Sequence, residues 1–141
     1  MADEIRFGEE PSRRDLERLE EEIYQFNCAA TGFRDGRSLA CFVRDDDGEL
    51  RAGLTGHTWG GCCEVRFLWV RESERRSGLG SALLRAAERE ARARGCDRVV
   101  LSTHSFQAPG FYRRHGYVEL GRADGYPRGH AQIYLSKRID G

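Results

Sequence analysis

Hydrophobic positions recur along this chain with two different spacings, which separates helical segments from extended ones. Apolar residues three or four apart over residues 11–26 predict a helix with one apolar stripe and an acidic opposite face, ending near Thr31-Gly32. A second helix is predicted over residues 78–94, and a short one over residues 109–115, where proline opens the segment and glycine follows it. The side chains predicted to face inward from the second helix are Leu83, Leu84, Ala87 and Ala91.

Short apolar or alternating runs between turn residues predict strands. The predicted strands are residues 5–7, 38–43, 50–59, 63–70, 98–102, 117–121 and 132–138. Residues 45–48 and 60–61 have turn composition, so the three strands around them form an antiparallel meander. Residues 98–102 form an apolar run of the buried, parallel kind.

This order of elements predicts an α/β fold in a single domain over residues 1–141. Its mixed central sheet is an antiparallel meander followed by a β-α-β crossover, with helices flanking it. A chain of 141 residues is long enough to bury one continuous core.

Composition narrows the range of partners and compartments. The formal net charge is zero, which gives no reason to expect a nucleic-acid ligand, and no apolar run is long enough for a membrane span. The five cysteines include no CxxC pair, which favours a cytoplasmic protein with reduced thiols. Adjacent Cys62 and Cys63 are poorly spaced for one tetrahedral ion, and the histidines lack ligand spacing, so no metal is predicted.

Residues 75–81, with the sequence Arg-Arg-Ser-Gly-Leu-Gly-Ser, lie between an apolar strand and a helix. They lack the glycine-lysine pair of a Walker loop and the third glycine of a dinucleotide fingerprint. Free main-chain N–H groups at a helix start attract an anion, glycine lets the backbone approach, and arginine can clamp from outside. The segment therefore predicts a pyrophosphate site, the alternative being a turn that needs glycine only for its conformation.

The Arg-x-x-Gly-x-Gly pattern after an apolar strand resembles the coenzyme A loop of the GNAT superfamily of N-acetyltransferases. A second block, with Ala108, Tyr112 and Gly116 in register, is similar to another stretch of that family. The resemblance covers nearly the whole chain and implies acetyl-CoA as cosubstrate. It also implies main-chain pairing of one strand with the pantetheine arm, and Ser105 stands where the family has asparagine. The cofactor residues implied are Leu68, Trp69, Val70, Arg75, Arg76, Ser77, Gly78, Leu79, Gly80, Ser81 and Ser105.

The same resemblance suggests catalytic residues. Glu64 lies eleven positions before Arg75, a spacing similar to that of the general-base glutamate in the histone-acetylating branch. Its alternatives are a water chain as base and a solvent-facing pair with Arg66. Tyr112 resembles the general acid that protonates the leaving thiolate, or it hydrogen-bonds the sulfur. Main-chain N–H groups near Trp69 and Val70 are the expected oxyanion donors.

The predicted activity is transfer of an acetyl group from acetyl-CoA to a primary amine, by direct attack in a ternary complex. We expect a small cationic acceptor, because the chain has no basic or disordered arm to hold a large protein. The alternatives are acetylation of a protein lysine or N-terminus, and a non-catalytic acyl-CoA sensor. His115 is expected to be exposed, and an exposed final strand is compatible with a homodimer. The predicted acceptor-pocket residues are His57, Trp59, Tyr126 and His130.

Overall fold

The computed structural model describes residues 3–140, and the chain divides into two compact units, residues 1–34 and 35–141. In the first unit, helix α1 spans Arg13–Thr31. The Ser12 hydroxyl accepts a hydrogen bond from the Asp15 N–H at 3.0 Å, and Gly32, at φ +82°, ends the helix at the predicted place. Its apolar stripe is exposed, with Phe26 at 71%.

The predicted strand at residues 5–7 is wrong. Residues 3–8 have no regular secondary structure, and Ile5 and Phe7 are 82% and 99% exposed. An isolated extended segment is not a strand unless a neighbour satisfies its main-chain groups. None of the described strands pairs with this segment.

The second unit contains a six-stranded sheet, two α-helices and one 3-10 turn at Glu72–Glu74. The predicted strand over residues 50–59 has the same bounds in the structure, and the other predicted elements shift by one to three residues at their ends. The elements are β1 Arg37–Arg44, β2 Leu50–Trp59, β3 Cys62–Val70, α2 Leu79–Ala93, β4 Arg98–His104, α3 Pro109–Arg114, β5 Val118–Asp124 and β6 Ala131–Arg138.

The strand order across the sheet is β1-β2-β3-β4-β6-β5. Strands β1 to β3 form the predicted antiparallel meander, and β4 pairs in parallel with β3, which confirms the mixed sheet. The final strand β6 lies between β4 and β5, so the prediction that it is an exposed edge strand is wrong. The chain returns after β5 to fill the position beside β4, which leaves β1 and β5 as the edges.

Helix α2 packs on one face of this sheet, against β1, β2 and β3. The core there includes Leu54, Leu84 and Leu135, each fully buried. All four helix side chains predicted to face inward are buried, which confirms the direction of the helix stripe.

One charged group is enclosed in this core. Glu88 of α2 is 4% exposed, and its carboxylate accepts hydrogen bonds from the Tyr117 hydroxyl at 2.8 Å and from Lys137 Nζ at 2.9 Å. The ammonium also lies 5.6 Å from the centre of the Tyr117 ring. Because both carboxylate oxygens are satisfied, the buried charge joins α2 to the start of β5 and to β6.

A β-bulge shifts the register between β2 and β3. Thr55 pairs with Phe67 and Gly56 with Val65, so Arg66 is the extra residue. A Cβ on Gly56 would lie 2.3 Å from the Glu64 carbonyl oxygen, closer than any side chain tolerates. Before Arg66, the odd-numbered side chains of β3 face the core. After Arg66, the even-numbered side chains do.

Candidate active site

Strands β3 and β4 separate after a short parallel pairing. They pair at only three positions, ending with Glu64 opposite Val100. Beyond that point β3 continues to Val70 and β4 to His104, without further pairing between them. We call this opening the β3–β4 gap. It leaves main-chain groups of both strands available to a ligand.

The ladder with β2 determines which main-chain groups of β3 face the gap. The Arg71 N–H donates to the Arg51 carbonyl across β2 at 2.8 Å. Because successive residues of a strand point their N–H and C=O to opposite sides, the Trp69 groups also face β2. The N–H groups of Leu68 and Val70 therefore face the gap, so two of the three residues predicted for the pantetheine arm are directed towards it.

The 75–81 loop follows the end of β3, beyond the last residue that borders the gap. Gly78 at φ +87° is the N-cap of α2 and supplies no side chain to cap it. The N–H groups of Leu79, Gly80 and Ser81 consequently have no acceptor within the helix. Three adjacent donors at the positive end of a 15-residue helix are well suited to bind an anion.

Two adjacent arginines, Arg75 and Arg76, help to fix the conformation of the same loop. Arg75 Nε donates to the Val70 carbonyl at 3.2 Å, which holds the loop against the end of β3. Arg76 has φ +70°, an unfavourable backbone conformation for a residue with a side chain. The Ser77 hydroxyl donates to the Glu74 carbonyl and closes the turn before the helix. The Arg76 strain is of the kind that accumulates at ligand-binding loops.

Two ion pairs connect the base of this loop to the β1–β2 hairpin. Arg51 contacts the Glu74 carboxylate through two nitrogens, and Arg71 lies 3.0 Å from Asp45. The Arg51 guanidinium holds the pKa of Glu74 below its usual range, and Arg71 does the same to the pKa of Asp45. Both carboxylates are therefore ionised at neutral pH and keep their arginines in place.

Helix α3 lies against the first turn of α2. A Cβ on Gly80 would meet Phe111 and Val70 at 3.5 Å, so the loop, α3 and β3 converge at this glycine. Tyr112 follows Phe111 and is 8% exposed, with its ring at 5.2 Å from the Phe111 ring and 5.9 Å from Tyr117. Burial raises the pKa of Tyr112, so this phenol keeps its proton at neutral pH.

His115 is not exposed as expected. It caps the end of α3, is half-buried, and its Nε2 lies 2.8 Å from Ser81 Oγ on the first turn of α2. Burial, and then the positive charge of Arg85, lower the pKa of His115. No periodicity or short motif links Ser81 to a residue 34 positions away, so the sequence gives no signal for this contact.

A cavity of about 380 Å³ opens at the point where β3 and β4 separate. Its lining includes Glu64, Arg66 and Phe67 of β3, Ser102 of β4 and Tyr134 of β6. Glu64 accepts a hydrogen bond from Arg66 Nε at 3.0 Å, and the two side chains are 55% and 57% exposed. Glu64 thus reaches the cavity while in the predicted pair with Arg66.

The predicted acceptor-pocket residues fall into two groups. His57 and Trp59 lie on β2, where His57 is directly opposite Glu64. Burial and the Arg66 charge lower the pKa of His57, which keeps its imidazole neutral at pH 7. Tyr126 and His130 lie in the β5–β6 loop, away from that pair in the sheet.

The β5–β6 loop residues join an aromatic cluster at the end of β4. The His104 ring stacks on Phe106 at 5.3 Å and meets the edge of Tyr126 at 5.3 Å, and Phe106 meets His130 at 5.0 Å. Phe106 and Tyr126 remain more than half exposed. The sequence prediction missed Phe106, although its position next to Ser105 in the second family block was a usable signal.

Ser105 is held by the neighbouring strand. Its hydroxyl accepts a hydrogen bond from the Ala131 N–H at 3.0 Å, and its own N–H donates to the Ala131 carbonyl at 2.7 Å. The serine therefore extends the β4–β6 ladder beyond His104. Its hydroxyl keeps one proton to donate, which a cofactor contact would have to use.

Thiol chemistry is disfavoured at this site. All five cysteines are free, and burial, with small contributions from Cys96 and Cys62, raises the pKa of Cys63 to about 12. The Cys63 thiol is thus protonated and weakly nucleophilic at pH 7.

Within residues 3–140, no group of three or more His, Cys, Asp or Glu side chains is arranged to hold a metal ion. No helix in that range is long and apolar enough to cross a membrane.

The sequence resemblance implied a pyrophosphate loop at residues 75–81 after the strand that would pair with the pantetheine arm, and it did not imply that β3 and β4 separate there. The sequence profile of the Acetyltransferase (GNAT) family matches residues 3–117. The chain belongs to the GNAT family. It is accordingly an acyl-CoA-dependent N-acetyltransferase.

Individual relatives agree with this assignment. The chain is 34% identical over 121 residues to an acetyltransferase of Agrobacterium fabrum, covering 86% of this chain and 88% of that protein. It is 40% identical over 101 residues to the blasticidin-S acetyltransferase of Streptomyces morookaense, covering 71% and 74%. The crystal structure of a Bacillus cereus acetyltransferase superposes with a TM-score of 0.79 at 33% identity, covering 94% and 97%.

Proposed function

We propose that this GNAT enzyme acetylates the primary amine of a small cationic molecule by direct attack in a ternary complex. The observation that carries the proposal is the β3–β4 gap. At one end it meets the three unpaired N–H groups of the 75–81 loop, and at the other it meets the cavity that Glu64 lines. A thioester lying along the gap would bring its carbonyl towards that cavity.

The residues around the gap suit coenzyme A. The 75–81 loop would bind the pyrophosphate through main-chain N–H groups of α2, with Arg75 and Arg76 adding positive charge. The N–H groups of Leu68 and Val70 that face the β3–β4 gap would pair with the pantetheine arm in the manner of an added strand. Of these two N–H groups, that of Leu68 is nearer the Glu64 end of the gap and is the one suited to stabilise the oxyanion that forms during acetyl transfer.

Proton transfers are assigned to two side chains. A primary amine with a pKa near 10 is mostly charged at pH 7 and must lose a proton before it attacks. Glu64 would accept that proton, directly or through water. The amine lone pair then forms the C–N bond, the C–S bond breaks, and Tyr112 would donate its proton to the leaving thiolate. The second proton, which the nitrogen loses as the amide forms, would restore the Tyr112 phenol through water. Direct attack fits the high pKa of the Cys63 thiol, which disfavours an acyl-cysteine intermediate.

A small acceptor is supported by the size of the cavity and by the relative named blasticidin-S acetyltransferase. A cavity of about 380 Å³ is at the small end of the range for small-molecule pockets. The carboxylate of Glu64 favours a cationic amine. His57 and Trp59 on one side, and Tyr126 and His130 in the β5–β6 loop, would supply further acceptor contacts.

The test is release of free thiol from acetyl-CoA in the presence of polyamines, aminoglycosides, nucleoside antibiotics, amino acids and peptides. The proposal requires turnover with a small amine. Turnover confined to peptides would identify a protein acetyltransferase instead. Binding of acetyl-CoA with no turnover of any amine would identify a sensor. Gly80→Trp, which adds bulk where the loop meets Phe111 and Val70, should abolish cofactor binding, and unchanged affinity would refute the loop assignment.

We also propose that the enzyme works in the cytoplasm as a homodimer. Five free cysteines suit a reducing compartment. The edge strand β5 exposes Val118 and Leu120 at 66% and 68%, which offers an apolar edge to a second copy. Light scattering at micromolar concentration distinguishes the dimer from a monomer, and a charged substitution at Leu120 should shift the mass to that of the monomer.

A further inference from the structure

One side-chain hydrogen bond joins the 75–81 loop to the helix that carries Tyr112. Ser81 Oγ and His115 Nε2 are 2.8 Å apart in a half-buried position. The His115 ring also packs on Phe111, with 4.8 Å between ring centres, and its main-chain N–H donates to the Tyr112 carbonyl at 3.0 Å. The imidazole is therefore held by Ser81 and by Phe111, the main chain of His115 is held by Tyr112, and Ser81 is the last residue of the loop.

We propose that His115 is a positioning residue that determines whether the Ser81 hydroxyl can donate to a phosphate of coenzyme A. The inference rests on the proposed function, in which the 75–81 loop binds the pyrophosphate. A serine hydroxyl has one proton and two lone pairs. If Ser81 donates to an unprotonated Nε2, it presents only lone pairs to a phosphate oxygen. An imidazolium always carries a proton on Nε2 and donates to Ser81, as a neutral ring does only in its Nε2–H tautomer, and the hydroxyl proton is then free for the phosphate.

The charges around His115 determine its protonation in the free enzyme. Arg85 and Glu88 face it from α2, Arg114 from α3 and Lys137 from β6. Glu88 is the one carboxylate among them, and it is already bound to Lys137. Burial and then Arg85 keep the pKa of His115 below its ordinary value, so the imidazole of the free enzyme is neutral at pH 7.

A bound pyrophosphate changes this balance. Two negative charges beside Ser81 favour a proton on Nε2, both through the hydrogen bond and through attraction to an imidazolium. Because linkage is reciprocal, protonation of His115 must strengthen anion binding to the same degree that the anion favours protonation. Affinity for the pyrophosphate should therefore fall as the pH rises through the pKa that His115 has in the complex.

The experiment measures the dissociation constant of dephospho-CoA by calorimetry from about pH 5.5 to about pH 8.5, a range that brackets histidine titration. This probe keeps the pyrophosphate but lacks the phosphate monoester, whose own ionisation near pH 6 would confuse the profile. We expect wild-type affinity to fall about tenfold across the range. That fall corresponds to a His115 pKa about one unit higher in the complex than in the free enzyme.

Two variants separate a positioning role from a packing role. His115→Gln keeps a nitrogen donor that does not titrate, so it should bind dephospho-CoA with a flat pH profile. Ser81→Ala should reduce the slope to the part that the imidazolium charge alone produces, and should bind more weakly at low pH. A wild-type slope in either variant overturns the proposal, as does a flat profile in the wild type. Gly80→Trp tests the loop separately: if it retains binding, the loop assignment fails before the role of His115 is in question.

Discussion

Tyr112 and Tyr117 are neighbouring buried tyrosines with different surroundings. The Tyr117 hydroxyl donates to Glu88, whereas Tyr112 lies beside the loop-facing residue Phe111, and burial raises its pKa. We expect Tyr112→Phe to keep the ring contacts and the acetyl-CoA KM while lowering kcat by about 100-fold, as loss of a general acid would. Steady-state kinetics with the best amine provides the measurement.

Tyr117→Phe is the matched control for that variant. It removes a hydroxyl from the same aromatic pair, but one that is engaged with Glu88. It should lower the free energy of unfolding by about 2 kcal/mol, within the range for a hydrogen bond to a charged group, and leave kcat near that of the wild type. Equal losses of kcat in both variants would show that Tyr112 matters for packing and not for proton donation.

Glu64 is tested through the pH dependence of the rate. A general base must be unprotonated to accept the amine proton, so the wild-type rate should fall at low pH. Glu64→Gln cannot accept that proton, and we expect kcat/KM to fall about 100-fold with a flattened acid limb. Arg66→Gln is the control, because it removes the partner at 3.0 Å and leaves the carboxylate. An unaltered profile in Glu64→Gln would assign the base to another group.

At the scale of elements, the β2–β3 bulge determines where Glu64 lies. Gly56 has no room for a Cβ, since that atom would lie 2.3 Å from the Glu64 carbonyl oxygen. Gly56→Ala should therefore lower the free energy of unfolding by about 2 kcal/mol, within the range for strained backbone substitutions. Because the two strands must move apart, it should also lower the activity of the remaining folded enzyme.

Gly121→Ala is the control for the bulge, because nothing lies within 4 Å of the corresponding Cβ on the edge strand β5. Its stability should stay within about 0.5 kcal/mol of the wild type. Urea unfolding of the two variants measures the difference. A Gly56→Ala protein as stable as Gly121→Ala would mean that the bulge relaxes at no cost.

At the scale of the whole molecule, the ion pair of buried Glu88 and half-buried Lys137 connects α2 to strand β6. Lys137→Met should lower the free energy of unfolding by about 3 kcal/mol, because it leaves a buried carboxylate with only the Tyr117 hydroxyl as partner. Adding Glu88→Gln should restore part of that loss, since the uncompensated charge is then gone. Additive losses in a double-mutant cycle would contradict the coupling of these two residues.

The elements of the second unit could largely be predicted because each follows from local pattern. Residues 50–59 alternate regularly between two turns, and both bounds of β2 were predicted correctly. The position of β6 beside β4 could not be predicted, because it depends on long-range pairing that no local period encodes. The strand predicted at residues 5–7 failed for the same reason: composition favoured extension, and no described strand pairs with it.

Candidate site residues could be proposed from the sequence where a short motif contains them. The 75–81 loop was proposed from its own composition and the family resemblance, and Tyr112 and Glu64 from their positions relative to the family pattern, and their roles stay predictions. Three features depend on residues far apart in sequence. They are the β3–β4 gap, the bulge that directs the main-chain N–H groups of Leu68 and Val70 towards that gap, and the Ser81–His115 hydrogen bond. Such features arise only when the sheet is assembled, so a linear reading misses them.

Lys137 is the one lysine in the chain, against 22 arginines, and its ammonium is bound to Glu88 in the core. An enzyme that uses a reactive thioester is exposed to stray acylation of its own ε-amines. A guanidinium stays protonated and does not react in this way. We expect acetic anhydride treatment of the folded protein to leave Lys137 unmodified by mass spectrometry until urea unfolds the chain. The enzyme should therefore retain its activity in acetyl-donor concentrations that inactivate lysine-rich proteins.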